Sequence, residues 1–379
     1  MLPIIVNAYN RPASLARLLA SIGSAEVPAG TPLIISIDHG GDADVLQVAE
    51  TFGWARGPKE IIAQPRKLGL VGHFRFCGGL TRQWGALICL EDDLVVSRQF
   101  HNFAAQALAV CGDDPRLAGI SLNRPWFNGY THTPFEPVLD DADNFFFQVY
   151  WYQGQVYTPE MWDAFESWWR GSPGGVTPQD GLHPMFLPGP RWGNDFFPKG
   201  MQYLAATGKT FLYPRESHTT NFGDAGTHFG QATPFFQVPL QHFRETYRLR
   251  GLDSARGVYD SFYELAPDKL APALGETAFD VDLNGTKPAE ALRHDLVLTT
   301  RPVRRAVRTF GDALRPLEMN VLEGTPGSGI ALARREDVRE GWLDNLRFER
   351  RRHAWYARRE IPLRRRLLYR LLERLDRGR

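Results

Sequence analysis

Leu87-Ile88-Cys89-Leu90-Glu91-Asp92-Asp93-Leu94 is an apolar run that ends in three adjacent carboxylates. Such neighbours repel one another, so the arrangement is stable where a cation or hydrogen-bond donors offset the charge. Hard divalent cations select carboxylate oxygens and share their remaining positions with substrate phosphates. The same residues also suit an acidic turn capping the next helix, since carboxylates favour helix N-termini. Their place at a strand end, in register with Asp38 at the end of another, favours a metal and nucleotide site. A second cluster, Asn7-Ala8-Tyr9-Asn10-Arg11-Pro12, offers a ring to stack on a base and a guanidinium to pair with a phosphate. Asp38, in Leu33-Ile-Ile-Ser-Ile-Asp38-His39-Gly40, offers acceptor oxygens to a base or ribose. Asn10 and Asp38 serve equally as ordinary turn and cap residues.

These side chains need elements to hold them. Pro3–Val6 reads as a short buried strand, and Pro12 opens a helix with Leu15, Leu18, Leu19 and Ile22 on one face. Leu33–Ile37, Glu60–Ala63, Gly85–Leu90 and Ala118–Leu122 are further strands. Asp44–Phe52, Val71–Arg82 and Phe100–Val110 are the intervening helices, the second weakened by Gly78-Gly79. Strands alternating with helices predict an α/β fold with a doubly wound parallel sheet, covered on both faces. Ligands of such sheets bind outside the carboxyl ends of the strands. Asn7–Arg11, Asp38 and Glu91–Asp93 fall there, on three different strands, so one site is expected.

From Trp126 to Phe236 the chain turns rich in aromatic residues, Gly and Pro. Phe145–Tyr152, Trp162, Trp168 and Trp169 are expected mainly in the core, with some rings lining an acceptor groove. Beyond Gln241 only Leu296–Thr300 and Gly329–Ala333 read as strands, and an Arg-rich helix runs from Trp342 to the end.

The composition bounds the possibilities. With 379 residues, 43% hydrophobic and 23% charged, the chain is neither low-complexity nor collagen-like. Cys77, Cys89 and Cys111 form no CxxC pair, against a disulfide framework or a zinc site. No apolar run approaches the ~18 residues of a membrane span, and the opening Met-Leu-Pro-Ile-Ile-Val reads as a strand rather than a secretion signal. A cytoplasmic protein is expected, either free or peripheral on the inner membrane face. Lys and Arg number 44 against 43 Asp and Glu, yet residues 344–379 carry a net +8 and the rest −7. Within that tail Leu363, Leu367, Leu368, Leu371, Leu372 and Leu375 share one helical stripe among arginines. Residues 363–377 are therefore expected to lie on anionic lipid, or to pack on the acidic body or a second subunit. No nucleic-acid partner is expected, because no reading motif accompanies the arginines.

Glu91-Asp92-Asp93-Leu94, followed by a helix near Phe100, resembles the acidic motif of inverting GT-A glycosyltransferases. The likeness is to the group of N-acetylglucosaminyltransferase I and its bacterial relatives. Asn7–Arg11, Pro32–Gly40 and the block Pro214–Gly230 match in order and spacing, so the resemblance covers residues 1–240. It implies a GT-A, Rossmann-like nucleotide-diphospho-sugar transferase fold over 1–240, leaving 241–343 as an accessory region and 344–379 as a basic tail. It further implies a divalent cation, manganese before magnesium, held by Asp93, with His228 as a candidate second ligand. Glu91 and Asp92 would contact the donor, and Tyr9, Arg11 and Asp38 its nucleotide, a UDP-sugar being favoured. The acceptor would be a glycan, free or lipid-linked, in the synthesis of bacterial surface polysaccharide.

An inverting transfer needs a base facing the acceptor. The resemblance points to Asp195, after Arg191-Trp192-Gly193-Asn194, where flanking rings would raise a carboxyl's pKa. Asp195 also suits a helix cap, and Asp224 and Glu216 are the alternatives. His218 reads with His228 as a loop histidine. A sugar-1-phosphate nucleotidyltransferase would want a Gly-rich loop after the first strand, where Asn7–Pro12 has no glycine. A non-catalytic carbohydrate-binding protein explains the aromatics but not the acids. No G-x-G-x-x-G follows a strand, against a dinucleotide oxidoreductase.

Overall fold

The computed structural model describes residues 1–131, 133–171, 175–187, 195–225, 231–339, 341 and 348. Its first half is built on four parallel strands, β1 (Ile4–Ala8), β2 (Leu33–Ile37), β3 (Lys59–Ala63) and β4 (Leu87–Glu91), side by side as β4-β1-β2-β3. β1, β2 and β4 are buried almost throughout, which is why they read as unbroken apolar runs. Helix α1 (Pro12–Gly23) starts on Pro12, whose fixed φ suits the first turn, and buries Leu15, Leu18, Leu19 and Ile22. Helix α2 (Ala43–Thr51) is capped by Asp42, whose carboxylate accepts from the Asp44 N–H at 2.9 Å. In place of the single helix expected over 71–82 there are two, α3 (Gly69–Gly79) and the one-turn α4 (Thr81–Trp84). Gly78 is held in α3 by packing, since a Cβ there would sit 2.2 Å from the Trp162 ring.

The remaining strands make the sheet mixed rather than wholly parallel. In chain order they and their helices are β5 (Leu94–Val96), α5 (Phe100–Cys111), β6 (Leu117–Ser121), β7 (Asn144–Phe147), β8 (Gln155–Tyr157), α6 (Pro159–Gly171), α7 (Phe196–Thr207), β9 (Thr210–Pro214), β10 (Thr219–Asn221) and β11 (Val258–Tyr259). The nine-stranded sheet has the order β11-β7-β9-β6-β8-β4-β1-β2-β3. β8 lies antiparallel between β4 and β6, and β7 antiparallel to β9. The expectation of a doubly wound parallel sheet is corrected here. β7 (Asn-Phe-Phe-Phe) and β9 (Thr-Phe-Leu-Tyr-Pro) are short and aromatic within a stretch dense in rings, Gly and Pro, so their runs do not stand out from their surroundings in the sequence. Phe145, Phe146, Phe147, Tyr150 and Trp162 are core, as expected, while Trp151, Tyr152, Trp168 and Trp169 are half-buried.

A second sheet, ordered β12-β13-β15-β14, follows: β12 (Phe279–Asp282), β13 (Leu296–Thr299), β14 (Arg308–Phe310) and β15 (Ile330–Arg334), with α8 (Pro267–Leu274) and α9 (Glu318–Leu322). Both expected strands of this region are present to within a residue at their ends. Phe279, Val281, Leu298, Phe310, Ile330 and Leu332 share one continuous buried cluster with the first sheet. β11, from beyond residue 240, extends that first sheet. The amphipathic stretch 363–377 lies outside the described residues, as does all of 344–379 except Phe348. Among the described residues no helix is long and apolar enough to cross a membrane.

Candidate active site

Pairing of β1 with β4 sets Asn7 beside Glu91, so the turn into α1 faces the acid triplet. Arg11 sits in that turn, and its guanidinium spans two carboxylates. One nitrogen donates to Asp93 Oδ2 at 2.8 Å and the other to Asp92 Oδ1. The Tyr9 N–H approaches the second Asp92 oxygen at 3.4 Å. Among the described residues, Asp93 Oδ1 is buried and has no hydrogen-bond partner.

Charge and burial work against each other here. Burial pushes the Asp92 carboxyl up to about 6, with Arg11 pulling it down and Asp93 adding to the rise. Glu91 is pushed up to about 8, first by burial, then by Asp93, with smaller contributions from Asp92 and Asp195. Burial disfavours the Arg11 cation, yet its two carboxylate partners hold its pKa above the ordinary range. Both carboxyls are therefore raised above their ordinary range, Glu91 by burial among like charges and Asp92 by burial against the pull of Arg11.

Asp195 caps α7, its Oδ1 accepting from the Phe197 N–H at 3.1 Å. The cap reading of this residue therefore holds. Asp195 is also close enough for its charge to raise the pKa of Glu91 and Tyr152. Sequence-distant elements thus bring Arg11, the triplet and Asp195 together. The carboxyl with the largest burial-driven rise among them is Glu91.

Asp38 is nearly buried, and three backbone N–H groups, from Leu68 at 2.8 Å and Gly69 and His39 at 2.9 Å, converge on its carboxylate. Burial would raise its pKa, but these donors hold it below the usual carboxylate range. Asp38 thereby pins the turn that enters α3. Tyr9 is fixed on the other side of that turn. Its hydroxyl donates to the Gly40 carbonyl at 3.3 Å and accepts from Lys67 Nζ at 3.0 Å. A Cβ on Gly41 would meet the Tyr9 carbonyl oxygen at 1.9 Å, so only glycine permits this approach. Lys67 was not singled out in the sequence. An exposed lysine in a loop carries no spacing signal.

The block 214–224 reaches the site through a two-stranded ribbon. β10 pairs antiparallel with β5, the strand that follows the triplet, and the Phe222 N–H donates to the Asp93 carbonyl at 3.0 Å. Asp224 is held by α1: Ser14 Oγ donates to it at 2.6 Å and Arg17 pairs with it. Burial would raise its pKa, but Ser14 and Arg17 together hold it low. Glu216 is exposed and accepts from Gln241 at 2.7 Å, with Arg244 at 3.1 Å. Its partners belong to 241–244, not to the triplet. His218 is core, hydrogen-bonded to Ser97 Oγ at 2.9 Å and stacked on Phe103, and burial pushes its pKa to about 3. His228 and residues 191–194 lie outside the described residues.

An aromatic wall runs away from Asp195. Phe197, next to the α7 cap, packs 6.2 Å from Trp151, which lies 6.1 Å from Phe236. Phe127 and Phe235 follow at 4.7 Å, and Trp126 Nε1 donates to the Phe235 carbonyl at 2.7 Å. Trp126 and Phe235 are 37% and 39% exposed, so their faces meet solvent. Apart from Trp151, these are not the rings expected from 145–152 and 162–169. Their partnership is made by a chain return at 231–240, not by local spacing.

No protein-family model matches the chain, and no curated protein matches it. Among solved structures it is similar to S. aureus TarS 1–349, at 11% identity and a TM-score of 0.36, covering 58% of this chain and 60% of that one. The same protein in complex with UDP-GlcNAc matches at 9% identity and 0.36, over 58% of each chain. The mannosyltransferase PcManGT from Pyrobaculum calidifontis, in complex with GDP-Man and Mn2+, matches at 13% identity and 0.31, over 44% and 46%. The chain thus spans less than two thirds of the length of each. At that level of overlap its own residues carry the functional reading.

Proposed function

We propose that the chain is a GT-A-type glycosyltransferase that moves a sugar from a nucleotide-diphosphate donor, with inversion, to a glycan or lipid-linked glycan acceptor in bacterial surface polysaccharide synthesis. The observation that carries this reading is the convergence of Arg11, Glu91, Asp92, Asp93 and Asp195 at the carboxyl ends of β1 and β4. Cationic and anionic groups there match a diphosphate leaving group and an acceptor hydroxyl.

In the proposed step the acceptor hydroxyl gives its proton to the carboxylate oxygen of Asp195 that does not cap α7. The hydroxyl oxygen attacks C1 of the donor sugar on the face opposite the diphosphate. The C1–O bond breaks and its electron pair leaves with the nucleoside diphosphate. Arg11 is placed to offset that developing charge, while Tyr9 and Lys67 flank the nucleotide. The aromatic wall from Phe197 to Trp126 is placed to meet the C–H faces of acceptor sugars.

A divalent cation fits this site in one way only. Among the described residues no group of three or more His, Cys, Asp or Glu side chains is placed to hold a metal ion. Asp93 Oδ1, buried and without a partner among the described residues, suits instead a cation whose shell is completed by water and diphosphate. When bound, such an ion would stabilise charge on the leaving group. The chain's own contribution is Asp93.

The test is nucleoside diphosphate release from UDP-GlcNAc and GDP-mannose, with and without Mn2+, by the full chain and by Asp93→Asn. Metal-stimulated release that Asp93→Asn abolishes while the fold is kept supports the reading. Consumption of nucleoside triphosphate with pyrophosphate release would replace it with the nucleotidyltransferase.

A further inference from the structure

Building on that reading, we propose that Arg11 is the counter-cation of the acid pair in the free protein and excludes a divalent metal from it. The metal is then admitted together with the nucleoside diphosphate that draws the guanidinium away.

The geometry has three parts. One guanidinium holds Asp92 and Asp93 together, so both carboxylates already have a cation. Arg11 is the one cation paired with either of them among the described residues. Its backbone is fixed, because the Arg11 carbonyl accepts from the Leu15 N–H at 3.0 Å in the first turn of α1. Only the side chain is free to move. That side chain is 29% exposed, against 4% for Asp92 and 14% for Asp93, so its outlet is toward solvent and the arriving donor.

A doubly charged ion on Asp93 would stand within a few ångström of the guanidinium and repel it. Leaving the carboxylates costs the arginine its charge-assisted bonds unless another anion offers the same forked contact. A diphosphate does, since guanidinium binds phosphate and carboxylate in the same two-pronged way. The neighbouring Arg17 is already committed to Asp224 and stacks 3.6 Å over Phe222. Arg11 is therefore the cation that changes partner. Metal and nucleotide then strengthen one another's binding, and linkage requires the factor to be the same both ways.

The test measures Mn2+ binding to the full chain at pH 8 by electron paramagnetic resonance of the free ion, alone and with UDP or GDP. The proposal expects weak Mn2+ binding to the wild type alone, tightened at least about tenfold by the nucleotide. Arg11→Gln should bind Mn2+ alone at least about tenfold tighter than the wild type, with the nucleotide effect correspondingly smaller. Arg11→Lys keeps the charge without the fork and should fall between them. It decides the matter if Arg11→Gln does not fold by circular dichroism. A folded variant that binds Mn2+ alone no tighter than the wild type overturns the proposal. If UDP or GDP binds but no form of the protein binds Mn2+, the proposal falls and the nucleotide reading stands. If neither binds, the glycosyltransferase reading falls as well.

Discussion

Glu318 opens α9 and is 6% exposed. Burial pushes its carboxyl from 4.5 up to about 7, and the one hydrogen bond favouring the charged form comes from its own backbone. The unfolded chain titrates this group near 4.5, so between the two values the native chain holds the extra proton. An acid whose pKa is raised on folding loses stability as pH climbs from about 4.5 to about 7, with the loss complete above that. At about 1.4 kcal/mol per pH unit across that interval, ionised Glu318 costs about 3 kcal/mol at pH 8 and almost nothing at pH 4.5. Glu318→Gln keeps the side chain's shape and removes the proton from the balance. Urea unfolding of the full chain at half-unit steps from pH 5 to 8.5 is the assay. The variant should gain about 3 kcal/mol at pH 8, and the gain should shrink to under about 1 kcal/mol near pH 5. A pH-independent difference, or a wild type more stable than the variant at pH 8, would refute the burial argument.

Asp195 can be separated into cap and base, because Asn caps a helix as well as Asp does. Asp195→Asn should unfold at the wild-type temperature yet lose transfer by about a hundredfold or more, while Asp195→Ala should lose a further ~1 kcal/mol of stability. Normal transfer by the folded Asn variant would remove Asp195 as the base. Gly41→Ala forces a Cβ against the Tyr9 carbonyl and should weaken UDP binding several-fold in calorimetry. Unchanged affinity would show that Tyr9 does not shape the nucleotide site.

The local chemistry was legible because it depends on residues that neighbour one another in the chain. Apolar runs that end in acids had to be buried strands with polar ends, and Pro12 had to open a helix with its leucines inward. β1, β2, β4 and α1 appear where those patterns put them. The acid triplet and Arg11 were visible for the same reason. The antiparallel half of the sheet was not, because β7 and β9 are short aromatic runs in a stretch already dense in rings, which gives no contrast at their ends.

Partnership was decided only by the tertiary structure. Asp38 reads as a nucleotide contact, and the return of the chain at 67–69 adds two backbone donors, Leu68 and Gly69, to the local His39 N–H. Asp224 and Glu216 were candidate bases by type. Helix α1 supplied Ser14 and Arg17 to the first, and the 241–244 segment supplied Gln241 and Arg244 to the second. A carboxylate's role follows from the charges and donors that share its desolvated space, and those come from residues tens to hundreds of positions away. Residue type and spacing set what each side chain could do, whereas the folded neighbourhood chose among those options.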